Sequence, residues 1–217
     1  RWENDYRVIY IEFDQELDVL DAEYTDLYLL FINKVADDLT KLRLKFDPKL
    51  LERFESWFKE VTKETEETVQ SSISLETEAS AGAEIPFISK LTAKLLGQIK
   101  GSSQQKQVIR ETLQRNLSRL QTDINLLLKD AFEKLRRKYP DRYQKGFLVI
   151  VDNLDRIPPN VGNHLFFDYA AQLQELDCTI IYTVPISVIY SYKNVSNLFG
   201  NPNIVPMVNI YEFNRSE

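Results

Sequence analysis

Gly146-Phe147-Leu148-Val149-Ile150-Val151-Asp152-Asn153-Leu154-Asp155-Arg156-Ile157-Pro158-Pro159 is the stretch that decides the reading of this chain. Five apolar residues, Phe147 to Val151, run without interruption and end on Asp152. Polar residues, a further carboxylate at Asp155 and two prolines follow at once. A short apolar run bounded by breakers predicts a strand buried on both faces of a parallel sheet. A carboxylate at the carboxyl end of such a strand stands where open α/β sheets place their ligands. A strand-end Asp can equally cap a turn, so a ligand-binding and a purely structural reading of Asp152 both stand.

Outward from this stretch, Cys178 to Val184 is a second continuous apolar run, stopped by Pro185, and predicts another strand. Val8 to Phe13 predicts an earlier one, rich in β-branched and aromatic residues, followed by an acidic loop with Glu16, Asp18, Asp21 and Glu23. That loop reads as solvated, leading into a helix whose N-terminus favours carboxylates. Leu27, Leu30, Phe31, Val35 and Leu39 give this helix one apolar face. Asp47-Pro48 is a helix start, with Leu50, Phe54, Trp57, Phe58 and Val61 behind it. Trp57 and Phe58 read as core rather than as a base-stacking platform. A small, polar stretch over 74–83 reads as a connection, a weaker helix reaches about Lys100, and Gly101-Ser102-Ser103 breaks it. From about Gln104 to Lys138 the apolar period is continuous and predicts one helix about 50 Å long. A helix near Gly162 to Leu176 and a last strand over 204–213 complete the pattern. The lone His164, in the helix after Pro159, reads as a surface or capping residue, because a single histidine makes no metal site.

Strand, helices, strand, helix, strand, strand predicts an α/β fold with a mostly parallel sheet flanked by helices. A parallel crossover needs only about a dozen residues, so the long helical stretch between the first two strands reads as an insertion. The expected division is 1–46 for the first part of the core, 47–138 for a helical insertion or hairpin, and 139–217 for the second part of the core.

Composition sets limits. The chain has 217 residues, 43% hydrophobic and 28% charged, an ordinary globular balance. A net charge of −6 argues against a nucleic-acid footprint spread over the whole surface. One cysteine and one histidine exclude an internal disulfide and a Cys/His zinc site. Cysteine usage fits a reducing, cytoplasmic setting, and no apolar run is long enough to span a bilayer. A chain that opens on Arg1 and carries its single methionine at Met207 reads as part of a longer polypeptide.

The segment Phe147–Asp155 resembles the Walker B segment of P-loop NTPases, in which four or more apolar residues precede an Asp. The second Asp three residues on, followed by Arg156, resembles the AAA+, STAND and KAP-type ATPases. The resemblance implies an ATP-binding and ATP-hydrolysing module that couples nucleotide state to conformational change or assembly. Val8–Phe13 would then be the strand after the phosphate-binding unit, Thr179–Thr183 the sensor strand, and the stretch around Val208–Tyr211 a strand on the far side. No Gly-x-x-x-x-Gly-Lys-Ser/Thr motif lies among the six glycines, so the phosphate-binding loop is expected outside this chain, and this segment alone is expected to bind nucleotide weakly or not at all.

Carried over by position, the resemblance gives Asp152 to Mg²⁺, through water, and to catalysis. Asn153 occupies the place of the Glu that polarises water in many AAA+ ATPases and cannot take a proton, so Asp155 is the expected substitute. Arg156 is expected either to contact phosphate or a neighbouring subunit, or to pair with Asp155 or the acidic loop. Thr183 is either a hydroxyl that reports on the γ-phosphate or a strand-end Thr capping a turn. The implied cofactors are ATP and Mg²⁺, with a homo-oligomer or protein partner engaged through the helical insertion. Two alternatives remain open: an NTPase-like scaffold without catalysis, which binds a partner or itself through the helical insertion, and, with less support, nucleic-acid binding by the basic helix through Arg115, Arg119 and Arg137.

Overall fold

Among the described residues Phe147–Asp152 is the central strand of a three-stranded parallel sheet. The computed structural model describes residues 2–45, 47–64, 84–101 and 103–204. The connection read over 74–83 and the strand read around Val208–Tyr211 lie outside the described residues.

In chain order the described elements are α1 (Trp2–Asp5), β1 (Arg7–Glu12), α2 (Phe13–Glu16), α3 (Tyr24–Lys41), α4 (Pro48–Glu64), α5 (Glu84–Gly101), α6 (Ser103–Arg115) and α7 (Leu117–Lys138). Then come β2 (Phe147–Asp152), a 3-10 turn (Leu154–Arg156), α8 (Pro159–Asn163), a π-helical turn (His164–Asp168), α9 (Ala170–Gln174), β3 (Thr179–Tyr182), α10 (Ile186–Ile189) and α11 (Ser196–Phe199). The sheet order is β1-β2-β3, with Glu12 opposite Asp152 and Val151 opposite Tyr182. Gly146, at φ +86°, makes the turn into β2, and its carbonyl accepts the Arg7 amide at 2.8 Å, which starts the pairing with β1.

The two faces of the sheet differ. Ile9 and Ile11 of β1 and Val149 and Val151 of β2 are buried, and they face α3 and the 159–174 helical segment. On the other face, Tyr10, Ile150 and Ile181 lie in one row across the three strands. Tyr10 is 52% and Ile181 49% exposed, while Ile150 is half-buried. Burial on both faces, expected from the apolar run, holds for β2 as far as Val149. It fails for the flanking strands, whose second face is open among the described residues.

The helices read as an insertion share one buried cluster with the sheet. α3 packs closely along α5, and Asn33 Nδ2 donates to Ser89 O at 2.7 Å and Thr92 Oγ1 at 3.0 Å across that contact. Trp57 and Phe58 are 1% and 0% exposed with their rings edge to face at 4.7 Å, as core residues should be. Asp47 caps α4 through the Lys49 amide at 2.9 Å.

The single helix expected over 104–138 is two helices. Asn116 leaves the helical region, at φ −105° and ψ 16°. Its side-chain Nδ2 donates to the Thr112 carbonyl at 3.2 Å, and its backbone N–H is shared between Thr112 O and Leu113 O. An asparagine side chain that takes a backbone acceptor competes with helix propagation. The apolar period runs through the break because both halves bury the same kind of face.

Candidate functional site

The carboxyl ends of the three strands bring Glu12, Asp152 and Thr183 toward one edge of the sheet. Asp152 is partly exposed. Its Oδ1 accepts the Asn153 amide at 2.9 Å, and its Oδ2 accepts the Tyr10 hydroxyl from the neighbouring strand. The Tyr10 bond, then the Asn153 amide and the positive charge of Arg156, hold the Asp152 carboxyl below the usual carboxylate range. The same bond pushes the Tyr10 phenol up to about 12.

Asn153 sits in the left-handed region, at φ 65° and ψ 11°. Asn enters this region more readily than Glu, because its short amide bonds locally. Its Nδ2 donates to Asp14 Oδ1 at 2.7 Å. Asn in place of Glu after the strand-end Asp therefore has a conformational reason in this chain. Arg156 pairs with Asp14 Oδ2, in α2 and just before the acidic loop. Thr183 Oγ1 accepts the Leu154 amide at 3.0 Å, so it caps the turn after β2. Asp155 is exposed on that turn and makes no hydrogen bond or ion pair among the described residues.

Sequence reading missed Tyr10 and Asp14 as members of this site. Tyr10 contacts Asp152 across 142 residues, and Asp14 contacts Asn153 across 139. Only the parallel register of β1 beside β2 brings them together. His164 is placed apart from this cluster, its Nδ1 3.6 Å from Asp168 and its ring against Tyr169 at 4.6 Å.

Among the described residues no group of three or more His, Cys, Asp or Glu side chains is placed to hold a metal ion. Mg²⁺ bound beside nucleotide phosphates takes only one or two protein carboxylates and keeps several waters. A single, partly exposed Asp152 at the strand end is compatible with that demand. When bound, such an ion offsets phosphate charge.

The acidic loop is not simply solvated. Glu23 and Asp26 form a capping box at the start of α3, as expected for its N-terminus. Asp26 is 1% exposed and is gripped by the Arg110 guanidinium, which also reaches Asp21 Oδ1 at 3.0 Å. Along α7 other basic side chains also meet carboxylates: Arg119 with Glu60 at 3.5 Å, Lys134 with Asp130 at 2.6 Å and Arg137 with Glu133 at 3.9 Å. Among the described residues no helix is long and apolar enough to cross a membrane.

Comparison with family models, with curated proteins and with solved structures gives no match for this chain.

Proposed function

We propose that this chain is part of an ATP-binding and ATP-hydrolysing module of the AAA+/STAND-like kind, which couples nucleotide state to conformational change or assembly. The observation that carries the reading is the placement of Asp152. It ends the central strand of three parallel strands among the described residues, with β1 on one side and β3, followed by Thr183, on the other. Ligands of open α/β sheets collect outside such strand ends. In this reading Asp152 holds the water shell of Mg²⁺ bound to ATP. Asp155, exposed on the next turn, accepts the proton of the attacking water. Thr183 keeps the β2 turn in register, and Arg156 leaves Asp14 for phosphate or a neighbouring subunit. The phosphate-binding loop is supplied by a segment other than 1–217.

The test is ATP turnover by the intact protein with Asp152→Asn and Asp155→Asn. A fall of roughly hundredfold or more is expected for Asp152→Asn, the scale of losing metal-assisted charge stabilisation. Unchanged turnover in both variants overturns the reading.

A second reading is favoured by a specific observation. The open sheet face and the residues after β3 concentrate exposed apolar side chains: Ile181, Ile186, Tyr190, Tyr192, Leu198 and Ile204. A chain that serves as an NTPase-like scaffold would use such a surface for a partner or for self-association. Light scattering with and without ATP and Mg²⁺ separates the two, because scaffold assembly is indifferent to nucleotide.

A further inference from the structure

Asp152 is held in a lopsided way. The bond from the Asn153 amide to Oδ1 is a fixture of the chain, one residue away. The bond to Oδ2 comes from a side chain on another strand, and that side chain is 52% exposed. Tyr10 lies on the open face of the sheet, in the row beside Ile150 and Ile181. Tyr10 is outside the buried core, so a change of rotamer carries the hydroxyl into water without breaking core packing. A phenol in water regains its hydrogen bonds at little cost. A hydrated divalent cation presents the same kind of donor to the same oxygen, water O–H polarised by the metal, and adds its charge.

We propose that Tyr10 gates Asp152: its hydroxyl holds Oδ2 while no cation is bound and swings toward solvent when a hydrated divalent cation takes its place. This rests on the reading of Asp152 as a cation-binding carboxylate. The gate has two consequences. It keeps the strand-end carboxylate oriented in the empty site, and it sets a competition that weak or monovalent cations lose. Tyr10 is thus a positioning residue, acting through Asp152.

The experiment is magnetic resonance on the full 217-residue chain, with Tyr10 ring carbons labelled and assigned by Tyr10→Phe, and with Mg²⁺ alone as the probe. Saturating Mg²⁺ should move the Asn153 amide and, together with it, the Tyr10 ring signals. The ring signals should end where Asp152→Asn places them without metal. Tyr10→Phe should bind Mg²⁺ roughly three- to tenfold more tightly at the Asn153 amide, the scale of one hydrogen bond removed from competition. An Asn153 response that Asp152→Asn abolishes, with Tyr10 unmoved and Tyr10→Phe binding no tighter, overturns the gate and leaves the cation reading intact. No Asn153 response in either the native chain or Tyr10→Phe overturns the gate, and the role of Asp152 toward ATP-bound Mg²⁺ is then decided by the turnover of Asp152→Asn. The amide spectrum of each variant reports whether its fold is retained.

Discussion

Two aspartates at two loop ends show what kind of carboxylate each end was built around. Asp26, in the first turn of α3, is 1% exposed, and Arg110 holds both its oxygens. The Glu23 amide adds a third donor at 3.1 Å. Asp152, at the end of β2, is partly exposed and rests on one amide and one exposed phenol. Sequence gives both the same appearance, an Asp beside an apolar run. The difference is in what each costs to change. The Asp26 site has lost its water and must keep its partner. The Asp152 site keeps water at hand, so a change of partner there costs less, as the proposed ligand role requires.

The largest expected effect breaks the first of these sites. Arg110→Met leaves Asp26 charged, buried and unpaired, and should cost about 3–5 kcal/mol in urea unfolding. Changing both members, Asp26→Leu with Arg110→Met, should recover most of that loss, because a well-packed apolar pair needs no desolvation. If the double variant is no better than the single, the cluster is more than a matched pair.

A middle effect comes from Tyr28 of α3, which is 1% exposed. Its hydroxyl donates to Gln172 O at 2.5 Å and accepts from Gln121 Nε2 at 2.8 Å, joining α3, α7 and α9. Burial pushes its phenol up to about 12. A phenol raised in the folded state contributes stability that is fully present below its unfolded value near 10 and is lost as pH rises through about 12. The loss should amount to about 2–3 kcal/mol between those limits. Tyr24, also raised by burial to about 12, adds in the same direction. Tyr28→Phe should flatten the fall of stability across this alkaline window, read by urea midpoints at several pH values. An unchanged slope would remove Tyr28 from the account.

The strands were legible because burial writes itself as uninterrupted apolar runs: Phe147–Val151 and Thr179–Thr183 need no partner to be recognised. The start of α4 was legible because Asp47 and Pro48 act within one turn. What was not legible depended on distance along the chain. Arg110 reads as one more base on a basic helix until the fold sets it against Asp26, 84 residues away. Tyr10 and Asp14 carry no local mark of the site they join. The break at Asn116 was hidden for another reason, since the apolar period on which helix reading depends continues through it. Asn153 shows the reverse case. As sequence it departs from an expected Glu. As structure it meets a left-handed turn and an Asp14 contact that suit Asn.

The smallest expected effect on the fold is at Asp152, and it sharpens the comparison most. Asp152→Asn keeps an oxygen for the Asn153 amide, replaces the oxygen that accepts the exposed Tyr10 hydroxyl by an NH2 group, and removes a charge that water already stabilises. Its unfolding free energy should shift by under about 1 kcal/mol at pH 7. The sign with pH follows from its depressed carboxyl. The native charge contributes stability above the usual Asp range that is lost as pH falls through the lower folded value, and the variant should lack that acid-side dependence. A fold effect this small beside a large fall in turnover would separate Asp152 from Asp26 in kind. An effect as large as that of Arg110→Met would mean that Asp152 too is a fixture of the fold, and the competition assigned to Tyr10 would have no exchangeable carboxylate to act on.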